Sequence, residues 1–269
     1  MAIDKIIIPT LGRLENQITY SNIPDKWKSK VTFVLQEKES NHEWFKDKNV
    51  MVVPNDIGIA KTRYLIADKH RGIKYAVFDD DLVFHYRPDI TLHNKPEMTP
   101  EIFDEAFDLM DKNLDQEDVV ASGFAATWSM YPEGEELECA RPCGNVFYNG
   151  SKLPVDELDW LSFQVSEDYW LMMQLLSKGY KNKVSLKYFI NCGATQTAGG
   201  CAAFRTVELH NQCFQKLKNK FPRYVKLHKK VINSGGFAGI VQLKAIISFR
   251  KLYDESKVKL ASQNFFKKT

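Results

Sequence analysis

The chain has 269 residues, 44% of them hydrophobic, and a formal net charge of +3. That fits one large soluble domain, or one domain with an appendage. It excludes a membrane-spanning segment: no run approaches the ~18 uninterrupted apolar residues a span needs, and the best stretch, Phe237 to Phe249, carries Lys244 at its centre.

Taken in chain order, Lys5-Ile6-Ile7-Ile8 reads as a buried strand stopped by Pro9-Thr10-Leu11-Gly12-Arg13. The start Met1-Ala2-Ile3-Asp4-Lys5 has an early acid and enters that strand at once, which is not a secretion signal, so a cytoplasmic protein is expected. Val31 to Leu35 is a second strand ending in polar Gln36-Glu37, and Val50 to Val53 a third, closed by Pro54-Asn55-Asp56. Ile59, Ala60, Tyr64 and Ala67 recur near helical spacing and predict a helix to about His70. Tyr75 to Phe78 is the fourth strand. Thr99-Pro100-Glu101 opens another helix with an N-cap, a first-turn proline and an early acid. A fifth strand falls near Val119 to Ala121, an acidic proline-containing loop spans Tyr131 to Cys143, and Asn149-Gly150 carries a hairpin signal. A further helix spans roughly Asp168 to Lys178, with Gly179 as its C′ stop. Short apolar runs separated by helix-length connections argue for a parallel sheet covered on both faces. Ligands of such sheets bind beyond the carboxyl ends of the strands.

The fourth strand delivers Asp79-Asp80-Asp81 directly onto that edge. Two unit charges about 4 Å apart repel by roughly 4 kcal/mol at an effective dielectric near 20, so something positive should offset the cluster. In an extended strand end Asp79 and Asp81 would point one way and Asp80 the other. An i, i+2 pair of that kind suits Mg²⁺ or Mn²⁺, which take hard oxygen ligands and leave positions open for phosphates. The competing reading is a solvated turn.

A second constellation is Ser166-Glu167-Asp168. Either Ser166 caps the helix and the acids favour its N-terminus, or a carboxylate is presented to act as a base or to orient an acceptor hydroxyl. Gly199-Gly200, with Arg205 close behind, would allow close backbone approach and a phosphate clamp, or form a simple turn. Five cysteines at irregular spacing show no C-x₂-C pair, so free thiols are expected. From Arg205 onward there are 15 Lys+Arg and 3 Asp+Glu, a local +12; the remainder, with 22 and 31, is −9. That asymmetry points to a polyanionic partner, with a solvated helix face or membrane-surface patch as the plain alternative.

Pro9-Thr10 after the first strand, Gly58-Ile59-Ala60-Lys61-Thr62-Arg63 before the fourth, Asp79-Asp80-Asp81, and the later Glu167-Asp168 together resemble a GT-A glycosyltransferase. The opening Ile-Pro-Thr-x-x-Arg and the Gly-Gly with Arg205 narrow the resemblance to the phage glycosyltransferases associated with TET/JBP-type hydroxylases. The similarity covers roughly residues 5 to 230. It implies an α/β, mostly parallel, Rossmann-like sheet covered by helices. A catalytic domain would occupy residues 1–204, and a basic helical extension, 205–269, would pack on it and contact the acceptor. It also implies Mn²⁺ or Mg²⁺ bridging the diphosphate of a UDP-sugar, double-stranded DNA as acceptor, and the cytoplasm of a phage-infected bacterium as the setting. Pro9, Thr10, Arg13, Glu37, Arg63, Asp79, Asp80, Gly199 and Gly200 would serve the nucleotide sugar. Asp79 and Asp81 would hold the metal, with His228, or His210 behind it, as third ligand. Glu167 or Asp168 would face the acceptor, and Arg205, Lys226, Lys229 and Lys230 would touch DNA. The sugar would be glucose or a pentose such as arabinose, and the acceptor the hydroxymethyl group of 5-hydroxymethylcytosine or hydroxymethyluracil. The alternatives are a glycan or protein acceptor, or a nucleic-acid-binding module without catalysis. A haloacid-dehalogenase-type phosphatase also places D-x-D after a strand, but there Thr follows two residues on, and here Asp81 is followed by Leu82-Val83.

Overall fold

The computed structural model describes residues 3–89, 95–127, 134–192, 205–233 and 238–266. Its first half builds the expected strands: β1 (Lys5–Pro9), β2 (Val31–Gln36), β3 (Asn49–Val53) and β4 (Lys74–Phe78). Two short helices, α1 (Ile18–Asn22) and α2 (Asp25–Lys28), fall between β1 and β2, and α3 (Gly58–Lys69) lies between β3 and β4. These four strands run parallel in the order β3-β2-β1-β4. Ile6 and Ile8 pack into one hydrophobic cluster and Ile7 into the other, so the period-two alternation of side chains buries both faces.

Beyond β4 the sheet becomes mixed. β5 (Leu82–Tyr86), α4 (Pro100–Asp115), β6 (Val119–Ala126), β7 (Glu136–Glu138), β8 (Asn145–Asn149), α5 (Glu167–Ser177) and β9 (Lys181–Cys192) follow. The nine-stranded order is β3-β2-β1-β4-β8-β6-β9-β5, with β7 on β9. β8 is antiparallel to both β4 and β6, while β6 and β9 are parallel. Thr99 caps α4, its side chain accepting from the Ile102 N–H, with Pro100 in the first turn.

Three local expectations change. Asn149-Gly150 makes no hairpin among the described residues, where β8 pairs with β4 and β6. Its glycine instead permits a close approach: a Cβ at Gly150 would sit 2.2 Å from the His70 carbonyl oxygen. The region read as a loop from Tyr131 to Cys143 contains β7 among its described residues. The C-terminal part is not only helical. Between α6 (Val207–Lys220) and α7 (Phe249–Phe266) runs a separate antiparallel ribbon of β10 (Val225–Val231) and β11 (Val241–Ile247).

Phe214, Leu217, Phe221, Val225, Leu252 and Tyr253 from this part share a cluster with Trp170 and Leu171 of α5. Gly179, at φ +82°, ends α5 as its sequence position predicts, and a Cβ there would meet Leu260 of α7 at 2.8 Å. No helix among the described residues is long and apolar enough to cross a membrane.

Candidate active site

The acids occupy the turn between β4 and β5, not an extended strand end, so strict alternation does not govern them. Arg13 Nη1 reaches both Asp80 and Asp81, the latter at 3.1 Å, while Arg63 Nη2 lies 3.3 Å from Asp79 Oδ1. Asp80 is 5% exposed. Its Oδ2 accepts from Thr10 Oγ1 at 2.7 Å, and Gln17 Nε2 donates to Thr10 Oγ1 at 2.9 Å. The middle carboxylate therefore braces the end of β1. Through these bonds Asp80 holds Thr10 and Arg13 in place.

Thr19 of α1 clamps the same turn. Its N–H donates to the Asp80 carbonyl at 3.1 Å, its hydroxyl donates to the Asp79 carbonyl, and that hydroxyl accepts from the Leu82 N–H at 2.8 Å. Neither Thr19 nor Gln17 is marked by any sequence motif; α1 has only five residues and no side-chain cap.

Asp79 is the open member, with 43% of its side chain reachable by solvent against 20% for Asp81. Its surroundings push its carboxyl up to about 7: desolvation leads, Arg63 opposes it, and Asp81 and Glu167 add to it. Gly144 keeps the open side of Asp79 clear, since a Cβ there would stand 2.9 Å from Asp79 Oδ2.

Arg63 also links this corner to the second constellation. Its Nε lies 3.1 Å from Glu167 Oε1, close enough for an ion pair though not aligned as a hydrogen bond. Burial raises Glu167, against Arg63. Burial also penalises the Asp168 charge, but Arg141 and then Arg63 outweigh it and hold Asp168 below the usual carboxylate range. Arg141 Nη1 pairs directly with Asp168 Oδ2, and its guanidinium lies 3.9 Å from the Tyr169 ring centroid. Sequence reasoning missed Arg141, which sits in the stretch read as loop.

Ser166 occupies the N-cap position of α5 but makes no side-chain cap bond, and its φ of 59° is left-handed. A non-glycine residue held there marks a locally strained backbone, of the kind that clusters at functional sites. The cap bond is absent, while Glu167 and Asp168 do occupy the first turn of α5, where carboxylates favour a helix N-terminus.

Pro9 closes β1, and Glu37 is exposed just past β2, where its Oε2 lies 3.5 Å from Asn55 Nδ2. Both are on the carboxyl edge, as expected. Gly199 and Gly200 lie outside the described residues. Cys139, Cys143, Cys192 and Cys213 are free thiols. Arg205 immediately precedes the Thr206 cap of α6 and acts electrostatically on Glu167. Lys226, Lys229 and Lys230 are exposed on β10.

The expected third metal ligand is not found. His228 is exposed on β10, opposite Lys244, and does not join Asp79 and Asp81; among the described residues no three metal-binding side chains are grouped to hold a cation. His210 Nε2 donates to the Leu243 carbonyl at 2.9 Å, which occupies it structurally. The donor set at the corner still fits a hard cation. Five carboxylates (Asp79, Asp80, Asp81, Glu167, Asp168) are paired with three guanidiniums (Arg13, Arg63, Arg141), leaving a formal −2. Mg²⁺-type sites commonly use one or two carboxylates and complete their shell with substrate phosphate. Asp79 and Asp81 are the carboxylates able to serve.

A carboxylate-and-guanidinium edge beyond parallel strands is the kind of site where a nucleotide diphosphate is handled, and the comparisons with known proteins agree: the chain is a nucleotide-sugar-dependent glycosyltransferase. It belongs to the TET-associated glycosyltransferase family, which residues 4–200 match. Two phage proteins named beta-glucosyl-HMC-alpha-glucosyl-transferase are similar. That of Enterobacteria phage T2 is 21% identical over 236 residues, 82% of each chain. That of Enterobacteria phage T6 is 23% identical over 204 residues, 71% of each. The crystal structure of S. aureus TarS 1–349 superposes with a TM-score of 0.45 at 14% identity, covering 81% of this chain and 66% of that one, too distant to bear on function.

Proposed function

We propose that the protein transfers a sugar from a UDP-sugar, glucose or a pentose such as arabinose, to the hydroxymethyl group of 5-hydroxymethylcytosine or hydroxymethyluracil in phage DNA. The observation that carries this reading is the carboxylate corner at the carboxyl edge of β4, in a chain of this family whose phage relatives are named for alpha-glucosyl transfer to beta-glucosyl-HMC. The 15 basic and 3 acidic residues from Arg205 onward support a DNA acceptor, because phosphate contacts supply most nonspecific affinity.

Pro9, Thr10 and Arg13 line the nucleotide side and Glu37 stands towards the base or ribose. Arg63 approaches the diphosphate from α3. Asp79 and Asp81 would hold Mn²⁺ or Mg²⁺ against the diphosphate oxygens. A bound cation of that kind supplies Lewis-acid stabilisation of the charge that develops on departing UDP. The acceptor hydroxyl oxygen bonds to the anomeric carbon as the bond from that carbon to the UDP oxygen breaks. If the reaction inverts the anomeric centre, a carboxylate of the Glu167-Asp168 pair takes the hydroxyl proton. If it retains configuration, that pair positions the acceptor. Arg141 fixes Asp168 in place and keeps it ionised at neutral pH, which suits it to accept a hydrogen bond from the hydroxyl.

The test is nucleoside mass spectrometry after incubating hydroxymethylated DNA with UDP-glucose or UDP-arabinose and Mn²⁺. A hexose or pentose increment on the hydroxymethyl nucleoside is expected. No increment with either donor, or transfer only to a glycan or protein, contradicts the reading.

A further inference from the structure

The β10–β11 ribbon is a two-stranded antiparallel sheet apart from the nine-stranded one, and its register runs from Val225↔Ile247 to Val231↔Val241. The sequence between Glu208 and Asp254 contains ten lysines and arginines and no acid. Lys226, Lys229, Lys230 and Lys244 lie on the ribbon and form no ion pair among the described residues. Nearby Arg223 and Arg250 differ, being engaged by Glu255 and by Glu138 and Asp254.

One face of the ribbon aligns Lys226, His228 and Lys230 with Ile246, Lys244 and Gln242 opposite. Burial pushes the Lys244 ammonium down, and Lys230, Arg141 and Arg205 push it further. Arg141, the partner of Asp168, is thus among the charged groups whose field reaches the ribbon at Lys244. At the root, a cavity of about 540 Å³ is lined by Arg141 and Tyr169 on one side and Ala245, Arg250 and Lys251 on the other.

The far end of the ribbon has a different chemistry. Val231 is 51% exposed, its cross-strand partner Val241 50%, and Ile240 44%. Exposed β-branched side chains at the Val231–Val241 end of a cationic ribbon are poorly suited to water. They suit a surface that offers phosphates beside apolar groups such as thymine methyls. A two-stranded ribbon fits the major groove of B-form DNA, where apolar side chains can contact thymine methyl groups.

We propose that the β10–β11 ribbon is the duplex-gripping element, with Lys226, Lys229 and Lys230 on backbone phosphates and Val231, Ile240 and Val241 against the bases of the groove. The proposal rests on DNA being the acceptor. It adds to that reading an element, an orientation and a division of labour. The ribbon holds the helix beside the cavity at its root, whose wall carries Arg141, the partner of Asp168.

The experiment measures binding of a fluorescent duplex carrying 5-hydroxymethylcytosine by anisotropy across a series of salt concentrations, without donor. The proteins are the full chain and its variants K226Q/K229Q/K230Q, the single K230E, and V231S/V241S, each checked for folding by thermal melting. Each phosphate contact contributes about 0.9 to the slope of log K against log salt, so the triple variant should lose about 2 to 3 from that slope and at least about tenfold in affinity near 0.15 M salt. K230E should bind more weakly than the full chain. V231S/V241S should weaken binding about threefold or more while leaving the slope as it was.

An unchanged slope in the folded triple variant and in K230E overturns the proposal. So does full-strength binding of phosphatidylserine vesicles in preference to the duplex, which would make the ribbon a membrane contact. If the full chain glycosylates the hydroxymethyl base yet these variants bind as it does, the ribbon assignment fails and the function stands. If the full chain neither binds nor modifies DNA, both fail together.

Discussion

Gly144 adopts φ +66°, and the atoms nearest to its missing Cβ belong to the side chains of Asp79 and Leu82. An alanine there would carry a left-handed strain of roughly 1 kcal/mol and press a methyl group against the carboxylate most open to solvent. Gly144→Ala is therefore expected to melt only slightly lower, yet to lose about tenfold or more in sugar transfer, measured by UDP release. Transfer at the native rate would show that nothing needs to approach Asp79 from that side. Among individual residues, the acidic triplet, Thr10, Arg13 and Arg63 were legible because strand ends and their polar followers stand out from apolar runs. Gly144 and Arg141 were not. Their importance comes from contacts across the fold, Gly144 with Asp79 and Arg141 with Asp168, and nothing in the local stretch Ala140-Arg141-Pro142-Cys143-Gly144 encodes those partners. Ser166 was legible as a position but not as a role, since its left-handed backbone replaces the cap its residue type suggests.

Among elements, α1 matters more than its five residues suggest. It is too short to be stable alone, because helix nucleation is costly, and it persists by docking Thr19 onto the acidic turn. Thr19→Val keeps the shape but removes both hydroxyl bonds, leaving the Leu82 N–H and the Asp79 carbonyl without that partner. Each buried group so orphaned costs about 1–3 kcal/mol, so a loss of roughly 2–4 kcal/mol in denaturant unfolding is expected, with transfer falling alongside. Unchanged stability would mean that the turn holds itself. The parallel elements β1 to β4 and the helices α3, α4 and α5 were legible from periodicity and caps. The mixed half was not: β8 inserts between β4 and β6 by long-range pairing, and Asn149-Gly150 resembles a hairpin while its glycine serves a contact with the His70 carbonyl.

For the molecule as a whole, the fold joins an acidic sheet domain to a basic C-terminal part through one shared hydrophobic cluster. Stability against pH follows from buried groups within that body. His70 is 8% exposed, its Nδ1–H donates to the Ile66 carbonyl at 2.8 Å, and burial lowers its pKa. A histidine whose folded pKa is depressed contributes fully above its unfolded value near 6.5, and that contribution is lost as pH falls through the folded value. The unfolding free-energy difference between the native chain and His70→Gln should therefore shrink between pH 7 and pH 5, by at most about 1.4 kcal/mol per pH unit. A difference that stays constant would show His70 protonating equally in both states. The charge division between the two parts of the chain was readable from residue counts alone, whereas the ribbon that displays the basic residues was not, since its strands alternate too weakly to stand out.

The most direct test of the carboxylate corner is calorimetric titration of UDP into the native chain and into Asp81→Asn, with Mn²⁺ and with a chelator. UDP affinity is expected to rise about tenfold or more with Mn²⁺ in the native chain, and that gain should vanish in folded Asp81→Asn. Equal UDP affinity with and without the cation, or a gain that survives the substitution, would contradict the assignment of Asp79 and Asp81 as the pair that holds a metal against the diphosphate.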